Sequence, residues 1–262
     1  MKMMNEWIFA MSDIHAHYDI MQERIEQIIP AIEDGGKLIL LGDYIDRGKD
    51  SYRCLQFAYD LQEKYGEEKV IVLKGNHEEW FIDFILGKGD EWLTEDDNFN
   101  TTGTFLTEEQ RNELRTITSR AEILSFLRQN IKKNHKDLLN WTKKLFAYYE
   151  TSTQIFVHAG VDEEIPEEEI DFCTLGTPDY VLTGKFPPST GHFYKDIIAG
   201  HVAARTVADD PDFKGIYFDG ESHFYIDGST TRNKRLLCLA YDDVNNKYYE
   251  LMEDGRYVGL GK

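Results

Sequence analysis

The chain has 262 residues, of which 41% are hydrophobic, so it is long enough to bury a large core and its composition is not that of a disordered protein. Acidic residues outnumber basic ones by 48 to 29, and the formal charge of −19 at pH 7 would repel a polyanion. The charge therefore argues against nucleic acid as a partner.

The cysteines and the apolar runs indicate in which cellular compartment we expect the protein. Cys54, Cys173 and Cys238 are widely spaced and odd in number, which predicts neither a disulfide framework nor a thiolate metal site. The apolar stretch that begins at Trp7 is too short for the hydrophobic region of a signal peptide, and no run reaches the length of a membrane span. We therefore expect a cytoplasmic protein that does not act on a membrane.

Predicted strands alternate with predicted helices in the first third of the chain. Short apolar runs that stop at small, polar or charged residues predict strands at Trp7–Met11, Lys37–Leu41 and Val70–Leu73. Helical apolar spacing lies between them, from Ile20 to Ile32 and from Ser51 to Tyr65. This alternation implies parallel strands with right-handed crossovers. Polar residues just past the strands would then gather along one edge of the sheet, where open α/β folds bind ligands.

The stretch from about residue 84 to residue 149 has a different pattern. It starts with a polar loop that contains glycines, and Thr107 then offers an N-cap with acidic residues in the first turn. Helical apolar spacing follows from Thr118 to Ile131 and from Leu138 to Tyr148. We interpret this stretch as a helical insertion beside the functional site, within a single domain spanning residues 1–262.

Strands return in the last part of the chain. Gln154–Val157 ends at His158, and Asp196–Ala199 ends at Gly200-His201. The tail from Gly215 to Met252 changes to alternating, aromatic-rich runs that are typical of antiparallel strands. The sequence therefore predicts an α/β fold with a mixed central sheet and helices outside.

The first chemical motif is Asp13-Ile14-His15, directly after the first strand. Across one residue in extended geometry, the Asp13 and His15 side chains point to the same face and could chelate one cation. Pairs of this kind are most often caps or surface residues, so this motif alone predicts no site.

Two longer motifs follow the second and third strands. Gly42-Asp43-Tyr44-Ile45-Asp46-Arg47-Gly48 fits a tight turn with an ion pair, and it also fits a site in which Asp43 binds a metal. In that site Arg47 would bind an anion, because the guanidinium fork matches phosphate oxygens. In Gly75-Asn76-His77-Glu78, Asn76 either caps the next helix or offers its carbonyl oxygen to a metal, with His77 as a proton donor.

His158 and His201 gain meaning only from the joint pattern. A single histidine after a strand is more often a hydrogen-bonded structural residue than a ligand. Here, however, five strand ends each place a metal-binding group at the same edge of the sheet. A purely structural explanation would have to apply to all five groups at once. We therefore predict a metal site.

These five blocks, in this order, resemble the calcineurin-like metallophosphoesterases. The blocks Gly42 to Gly48 and Gly75 to Glu78 look like those of the phosphoprotein phosphatase branch, which includes bacterial Ser/Thr protein phosphatases. The resemblance implies an αββα sandwich with mixed central sheets and two divalent metal ions. It assigns one ion to Asp13, His15 and Asp43, and the second to Asp43, Asn76, His158 and His201.

The resemblance also implies a mechanism. Two cations bridged by Asp43 would lie roughly 3.5–4 Å apart and would make hydroxide available from a bridging water near neutral pH. Oxygen and nitrogen ligands suit Mn²⁺, Fe or Zn²⁺, and the resemblance favours Mn²⁺. Arg47 would bind the phosphoryl oxygens, and His77, with its ring fixed by Asp46, would protonate the leaving alkoxide. The substrate would be a phosphorylated protein or a small phosphate ester.

The sequence departs from the family pattern near the phosphate. The protein phosphatase branch normally supplies a second arginine between the last two metal histidines, where this chain has only Lys185 and Lys195. Either a lysine substitutes, Arg205 reaches back, or the phosphate is bound less tightly. Ala16 stands where the family usually has glycine, and His17 beyond it is either a local hydrogen-bonding residue or part of the pocket lining.

Two rival functions are weighed against a Ser/Thr protein phosphatase. A dinucleoside tetraphosphate hydrolase or nucleotide phosphatase shares the motifs, and Trp92 with Asn100 to Thr104 resembles a loop found in both groups. A catalytically silent metal-binding module would lack a ligand or the general acid, and none is missing here. The chain also lacks a second histidine two positions beyond His201, which favours the phosphatase branch over nucleases and phosphodiesterases.

Overall fold

The structure is a computed structural model that describes residues 7–94, 96–165 and 173–261. Its strands and α-helices follow in the order β1 Trp7–Met11, α1 Tyr18–Glu33, β2 Lys37–Leu40, α2 Ser51–Tyr65, β3 Val70–Val72, α3 Asn76–Leu86, α4 Glu108–Leu114, α5 Arg120–Asn134, α6 Lys136–Thr142, β4 Tyr148–Glu150, β5 Gln154–Val157, α7 Cys173–Gly176, α8 Asp179–Gly184, β6 Asp196–Ala203, α9 Ala204–Val207, β7 Tyr217–Phe218, β8 His223–Asp227, α10 Thr230–Asn233, β9 Leu239–Asp242, β10 Lys247–Leu251 and β11 Tyr257–Gly259. Short 3₁₀ helices lie at Glu91–Thr94, Asp97–Phe99 and Thr102–Phe105.

The strands form two mixed sheets. The first sheet has the order β11-β10-β9-β1-β2-β3, with β1, β2 and β3 parallel and the other neighbours antiparallel. The second has the order β4-β5-β6-β8-β7, with β5, β6 and β8 parallel and an antiparallel strand at each edge. Helices cover the outer faces, so the predicted αββα sandwich with mixed central sheets is confirmed.

Alternation along the strands divides the interior into three apolar layers. In β1, Phe9 and Met11 pack against the helices of the first sheet, whereas Ile8 and Ala10 face the second sheet. Ile155 in β5 faces the third layer, between the second sheet and helices α7 and α8. Successive side chains of a strand point to opposite faces, so one strand serves two layers. Burying each large apolar side chain contributes about 1.5–3 kcal/mol.

Most predicted elements are confirmed, and the predictions that are wrong in part include one helix and the pairing of the tail. The helix predicted from Leu138 to Tyr148 ends at Thr142, because Tyr148 to Glu150 pairs with β5 as an edge strand. The tail is only partly antiparallel, because β8 pairs parallel with β6. Pairing partners are distant in the sequence, and local apolar spacing carries no information about them.

The stretch between residues 84 and 149 contains α4, α5 and α6, and its description as an insertion stays a prediction. Its first helix begins as the sequence indicates. The backbone N–H of Gln110 donates to Thr107 Oγ1 at 3.2 Å, and the Gln110 side chain accepts from the Thr107 N–H at 3.0 Å. This capping box satisfies two N–H groups that have no partner within the helix.

None of the helices that the structure describes combines the length and the apolar composition that a membrane span requires.

The carboxyl ends of the parallel strands in both sheets meet at one end of the molecule. His158, after β5, donates its Nδ1–H to the carbonyl oxygen of Leu41, after β2, at 2.9 Å. The backbone N–H of His201 in β6 donates to Asp13 Oδ2, after β1, at 2.9 Å. The fold thus joins two sheet edges, and the polar residues that follow the strands lie where these edges touch.

Candidate metal centre

The chain turns sharply at this junction in a left-handed backbone conformation. Positive φ angles occur at Asp13 (57°), His15 (47°), Asp43 (58°), Asp46 (69°), Arg47 (63°) and His201 (61°). Residues other than glycine rarely adopt such angles, and each costs on the order of 1–3 kcal/mol. The rest of the fold therefore holds these residues in place, and strain of this kind is typical of functional sites.

Two glycines allow the loops to approach each other. A Cβ atom on Gly75 would lie 2.2 Å from Asp43 Oδ1, and one on Gly200 would lie 2.3 Å from Asp13 Oδ2. Neither distance is compatible with a side chain. The glycines that precede Asn76 and His201 in the sequence motifs are thus required because a carboxylate fills the space beside each of them.

The first group of ligand atoms surrounds His15. Its Nε2 lies 3.7 Å from Asp13 Oδ1 and 3.6 Å from Asp43 Oδ2. Its Nδ1–H donates to the carbonyl oxygen of Ile45 at 3.1 Å, so the lone pair of Nε2 points toward the carboxylates. Burial lowers the pKa of His15 to about 4 although the Asp13 carboxylate opposes it. At neutral pH the ring is therefore an uncharged base, as a metal ligand must be.

The second group surrounds His158. Its Nε2 lies 3.4 Å from Asp43 Oδ1 and 3.0 Å from Asn76 Oδ1. Since Nδ1 donates to a carbonyl oxygen, Nε2 carries a lone pair that faces a lone pair of the Asn76 oxygen. These two lone pairs repel each other, and a cation bound by both atoms would remove the repulsion. Burial lowers the pKa of His158 to about 3. One ligand atom each from Asp43, His158 and His201 lies within 4.8 Å of the others.

Asp43 lies between the two groups. Burial raises its pKa well above the usual range, and the nearby Asp13 and Glu78 carboxylates act in the same direction, although His77 opposes them. Positive charge at this point would relieve the crowding of carboxylates. Imidazole nitrogens, carboxylate oxygens and one amide oxygen form a donor set that fits divalent cations such as Mn²⁺ or Zn²⁺.

Asn76 does not have the alternative role of helix cap. The N-cap of α3 is Gly75, and Asn76 is the first helical residue, with its side chain directed at His158. The structure thus brings the six predicted metal ligands together at one junction: Asp13, His15, Asp43, Asn76, His158 and His201.

His77 differs from the other histidines of the centre. Its Nδ1–H donates to Asp46 Oδ2 at 2.6 Å, and its Nε2 lies 3.8 Å from Asp43 Oδ2. Burial disfavours the charged ring, but the Asp43 and Asp46 carboxylates outweigh this effect and raise the pKa of His77 to about 9. Its ligand atom also lies within 4.8 Å of those of His15 and Asp43. Position alone therefore permits two roles, that of a further ligand beside His15 and Asp43 or that of a proton donor held by Asp46.

Arg47 lies at the open side of the centre and is exposed. Its Nη1 is 3.0 Å from His15 Nε2, and its Nη2 is 3.4 Å from His77 Nε2. The guanidinium group thus lies over the first ligand group and His77. An anion that enters the centre would meet this fork of N–H donors first.

The ion pairs of Lys185 and Lys195 bear on whether a lysine could be the second side chain that binds phosphate. Lys185 Nζ pairs with Glu163 Oε1 at 2.7 Å, and Lys195 Nζ pairs with Glu150. Both lysines are therefore already paired with carboxylates, which argues against either one replacing the missing arginine. Arg205 lies on α9, two residues after the end of β6.

His17 makes the local hydrogen bond considered for it. Its Nδ1–H donates to the carbonyl oxygen of His15 at 2.6 Å, and its Nε2 lies 2.9 Å from Lys234 Nζ. It also lines a cavity of about 320 Å³ together with Arg47, Lys49 and Lys234. The local hydrogen bond steadies the loop that carries His15.

Glu78 has a positioning role that the sequence analysis missed. Its Oε2 accepts hydrogen bonds from the backbone N–H groups of Asp43 at 2.8 Å and Gly75 at 3.0 Å. Its Oε1 accepts from the N–H of Tyr44 at 2.9 Å. A glutamate three residues after an N-cap is a known capping signal, so Gly75 followed by Glu78 could have indicated the contact within the helix. The contacts to Asp43 and Tyr44 join two distant motifs and could not be read from that spacing.

Comparison with known proteins is consistent with this geometry. The family model for calcineurin-like phosphoesterases matches residues 7–184. A Caenorhabditis elegans protein named "Putative serine/threonine-protein phosphatase" is 35% identical over 80 residues, which is 30% of this chain and 21% of that protein. The match thus spans about a fifth of this relative.

Solved structures show that the fold is shared over nearly the whole chain. A cold-active protein tyrosine phosphatase has a TM-score of 0.62 at 17% identity, over 98% of this chain and 79% of that one. A structure described as a "putative diadenosine tetraphosphatase" has a TM-score of 0.53 at 13% identity, over 99% of this chain and 96% of that one. At these identities the likeness concerns the fold alone.

Proposed function

The chain belongs to the calcineurin-like phosphoesterase family, and from that premise we propose that it is a metal-dependent phosphatase that hydrolyses phosphate monoesters. Its substrates are proteins phosphorylated on serine or threonine. The observation that carries the proposal is the position of Asp43. Its Oδ2 lies 3.6 Å from His15 Nε2, and its Oδ1 lies 3.4 Å from His158 Nε2. A carboxylate with a separate ligand group at each oxygen suits a bridge between two cations.

In this proposal one cation would be held by Asp13, His15 and Asp43, and the other by Asp43, Asn76, His158 and His201. Mn²⁺ is the proposed ion, and Fe or Zn²⁺ would also suit oxygen and nitrogen ligands. When bound, such cations lower the pKa of a coordinated water and neutralise the charge of a phosphate group. The low pKa values of His15 and His158 support this assignment, because neutral rings can bind metal without first losing a proton.

Arg47 binds the phosphoryl oxygens. Its two terminal nitrogens lie 3.0 Å and 3.4 Å from ring nitrogens of His15 and His77, so a phosphate between those rings would contact the guanidinium group. Charge on the phosphoryl oxygens changes during the reaction, and a fixed cation stabilises it without reorganisation of solvent. A planar fork that donates two hydrogen bonds also orients the group.

His77 donates a proton from Nε2 to the leaving oxygen, and Asp46 holds the opposite side of the ring. The 2.6 Å hydrogen bond from Nδ1 fixes the orientation of the imidazole and favours its protonated form. The environments of the histidines push their pKa values in opposite directions, which is the arrangement expected when one acts as an acid and the others as ligands.

A specific observation favours a second candidate substrate with an aromatic leaving group. Trp80 is 44% exposed, and its ring centroid lies 4.9 Å from that of His77, so it could stack on an aromatic group joined to the leaving oxygen. Phosphotyrosine has such a group on its leaving oxygen, whereas nucleotides, including dinucleoside tetraphosphates, carry an aromatic base farther from the cleaved bond. The complete set of candidate ligands and the proposed acid argue against a catalytically silent module. The three cysteines are free and buried, which supports a cytoplasmic location.

A substrate panel tests the proposal. Purified protein with added Mn²⁺ would be assayed on a phosphoserine peptide, a phosphotyrosine peptide and a dinucleoside tetraphosphate, with Asp43→Asn as a control for contaminating phosphatases. We expect the fastest release of phosphate from the phosphoserine peptide, loss of activity with a chelator, and about two cations per chain by elemental analysis. Faster dinucleotide hydrolysis would support the second candidate, and no hydrolysis of any ester would refute the proposed function.

A further inference from the structure

Asp46 accepts hydrogen bonds from three side chains rather than from His77 alone. Its Oδ2 accepts from His77 Nδ1 at 2.6 Å and from Trp92 Nε1 at 2.7 Å, and its Oδ1 accepts from Thr101 Oγ1. All four side chains are buried. We propose that Trp92 and Thr101 are positioning residues, which hold the Asp46 carboxylate so that it in turn holds the ring of His77. This inference rests on the proposed role of His77 as general acid.

The hydroxyl groups around Asp46 form a closed ring of hydrogen bonds. The backbone N–H of Asp46 donates to Ser51 Oγ at 3.1 Å, Ser51 Oγ donates to Thr101 Oγ1 at 3.3 Å, and Thr101 Oγ1 donates to the Asp46 carboxylate. Each hydroxyl has a single proton, so each donates once and accepts once. The direction of every bond in the ring is therefore determined, and the carboxylate cannot rotate without breaking one of them.

Trp92 is fixed to the helix that carries His77. Its ring centroid lies 5.5 Å from that of Phe81 and 5.5 Å from that of Phe84, both on α3, which begins at Asn76. Contacts of this kind hold the indole in one orientation. Its N–H group and the His77 ring thus keep a constant separation, and both meet the same oxygen of Asp46.

A second carboxylate holds the backbone near Thr101. Asp96 is buried, and its Oδ2 accepts from the backbone N–H of Thr102 at 3.0 Å, while its Oδ1 accepts from the backbone N–H of Thr101. Buried carboxylates are costly unless they are hydrogen-bonded, so this arrangement indicates a loop that is held in one conformation. The conformation directs the hydroxyl of Thr101 at Asp46.

Packing alone would not require these polar groups. Phenylalanine would keep an aromatic ring at one position and valine would keep the shape of threonine at the other, yet both positions direct a hydrogen-bond donor at the carboxylate that holds His77. Without those donors the carboxylate could turn, and the His77 ring would lose its fixed direction. Small misplacement of a reacting group is costly, because a proton is transferred only over hydrogen-bond distance.

The test removes each donor with the smallest change of side chain, and a matched control elsewhere in the chain makes the same substitution. Trp92→Phe is compared with Trp141→Phe, which removes a 2.7 Å indole hydrogen bond to Gln62. Thr101→Val is compared with Thr174→Val, which removes a 2.9 Å hydroxyl hydrogen bond to a carboxylate, that of Glu150. A hydrogen bond to a charged group corresponds to roughly a 10–100-fold effect.

We expect Trp92→Phe and Thr101→Val each to lower kcat on a phosphoserine peptide about 10-fold or more. Their effect on a nitrophenyl phosphate should be clearly smaller, because this leaving group needs little proton donation. In a His77→Asn background, Trp92→Phe should cause no further loss on the peptide. Equal losses on both substrates, multiplied losses in the double variant, or equal effects in the control variants would overturn the inference.

A second readout does not depend on activity. The Nδ1 proton of His77, hydrogen-bonded to Asp46, can be followed by NMR, and Trp92→Phe should shift or broaden its resonance, whereas Trp141→Phe should leave it unchanged. An unchanged resonance in Trp92→Phe, with the variant folded by circular dichroism, would refute the positioning role. If the wild-type protein hydrolyses no ester but the resonance responds as expected, the proposed function fails and the positioning contact stands.

Discussion

The two sides of the centre hold the same side chain in opposite electrostatic environments, and they are called the ligand side and the acid side after the roles proposed above. On the ligand side, His15 and His158 donate Nδ1–H to backbone carbonyl oxygens and have pKa values lowered to about 4 and about 3 by burial. On the acid side, His77 donates to the Asp46 carboxylate and has a pKa raised to about 9 although it is also buried. The comparison teaches that neighbouring carboxylates set these histidines apart. Asp43 and Asp46 together raise the pKa of His77, whereas the Nδ1 partners of His15 and His158 are uncharged carbonyl oxygens.

The largest effect on activity is expected from a substitution of Asp43, which lies between the two ligand groups. Asp43→Asn should lower kcat/KM on the order of 10³-fold on every substrate, because it removes a negative charge from both proposed cation sites. Elemental analysis should show fewer than two cations per chain. His15→Ala and Asn76→Ala each affect one site and should cost less. An Asp43→Asn protein that keeps both cations and most of its activity would contradict the bridging role.

The acid side should respond selectively to the leaving group. His77→Asn should lower kcat roughly 10²–10⁴-fold on a phosphoserine peptide, because a serine alkoxide is a strong base that needs a proton as it departs. A nitrophenolate leaves without this help, so the loss on the aryl ester should be clearly smaller. The cation content should stay at the wild-type value.

This experiment also decides between the two positions open to His77, whose ligand atom lies within 4.8 Å of those of His15 and Asp43. Loss of a cation in His77→Asn, or equal losses on both esters, would move His77 to the ligand side and remove the contrast between the two sides.

Arg47 belongs to neither side, and its removal should weaken the binding of the phosphate group itself. Arg47→Ala should raise the inhibition constant of inorganic phosphate and lower kcat/KM about 10–100-fold on alkyl and aryl esters alike, because it removes a charged donor to oxygens common to all of them. Lys49→Ala is the control, since Lys49 is exposed and lines the same cavity. An unchanged inhibition constant in Arg47→Ala would make this residue purely structural.

The ligand side could be predicted from the sequence more completely than the acid side. Asp43 and Asn76 lie in short motifs directly after apolar runs, so strand ends and motif chemistry together were sufficient to select them. The donors to Asp46 were noticed only because their loop resembles that of related groups, and nothing in the sequence directed them at Asp46. Trp92 and Thr101 lie in a polar loop without regular spacing, 46 and 55 positions from Asp46, and only the folded chain brings them to it.

Backbone details were equally beyond the sequence pattern. β6 continues through His201 to Ala203 with a shift in register after Ala199, whereas the sequence predicted that the strand ends before His201. The left-handed conformation at His201 arises within this irregularity. Apolar spacing reports which face is buried, and it does not report where a strand bulges to redirect a side chain.

The smallest effect on activity is expected at Glu78, which supports the ligand side without facing it. Glu78→Gln keeps the shape but removes the charge that accepts three backbone N–H groups, so the unfolding free energy should fall by about 1–3 kcal/mol. Urea denaturation with a chelator present would measure this fall, because bound cations would add stability of their own. The matched control is Glu79→Gln, whose carboxylate pairs with Lys74 in a partly exposed position and should contribute less than about 1 kcal/mol.

Since Glu78 fixes the loop of Asp43, Glu78→Gln should also bind Mn²⁺ more weakly and recover activity at higher Mn²⁺ concentration. Loss of stability without weaker Mn²⁺ binding would show that Glu78 serves the fold alone, and that the ligand side keeps its geometry without it.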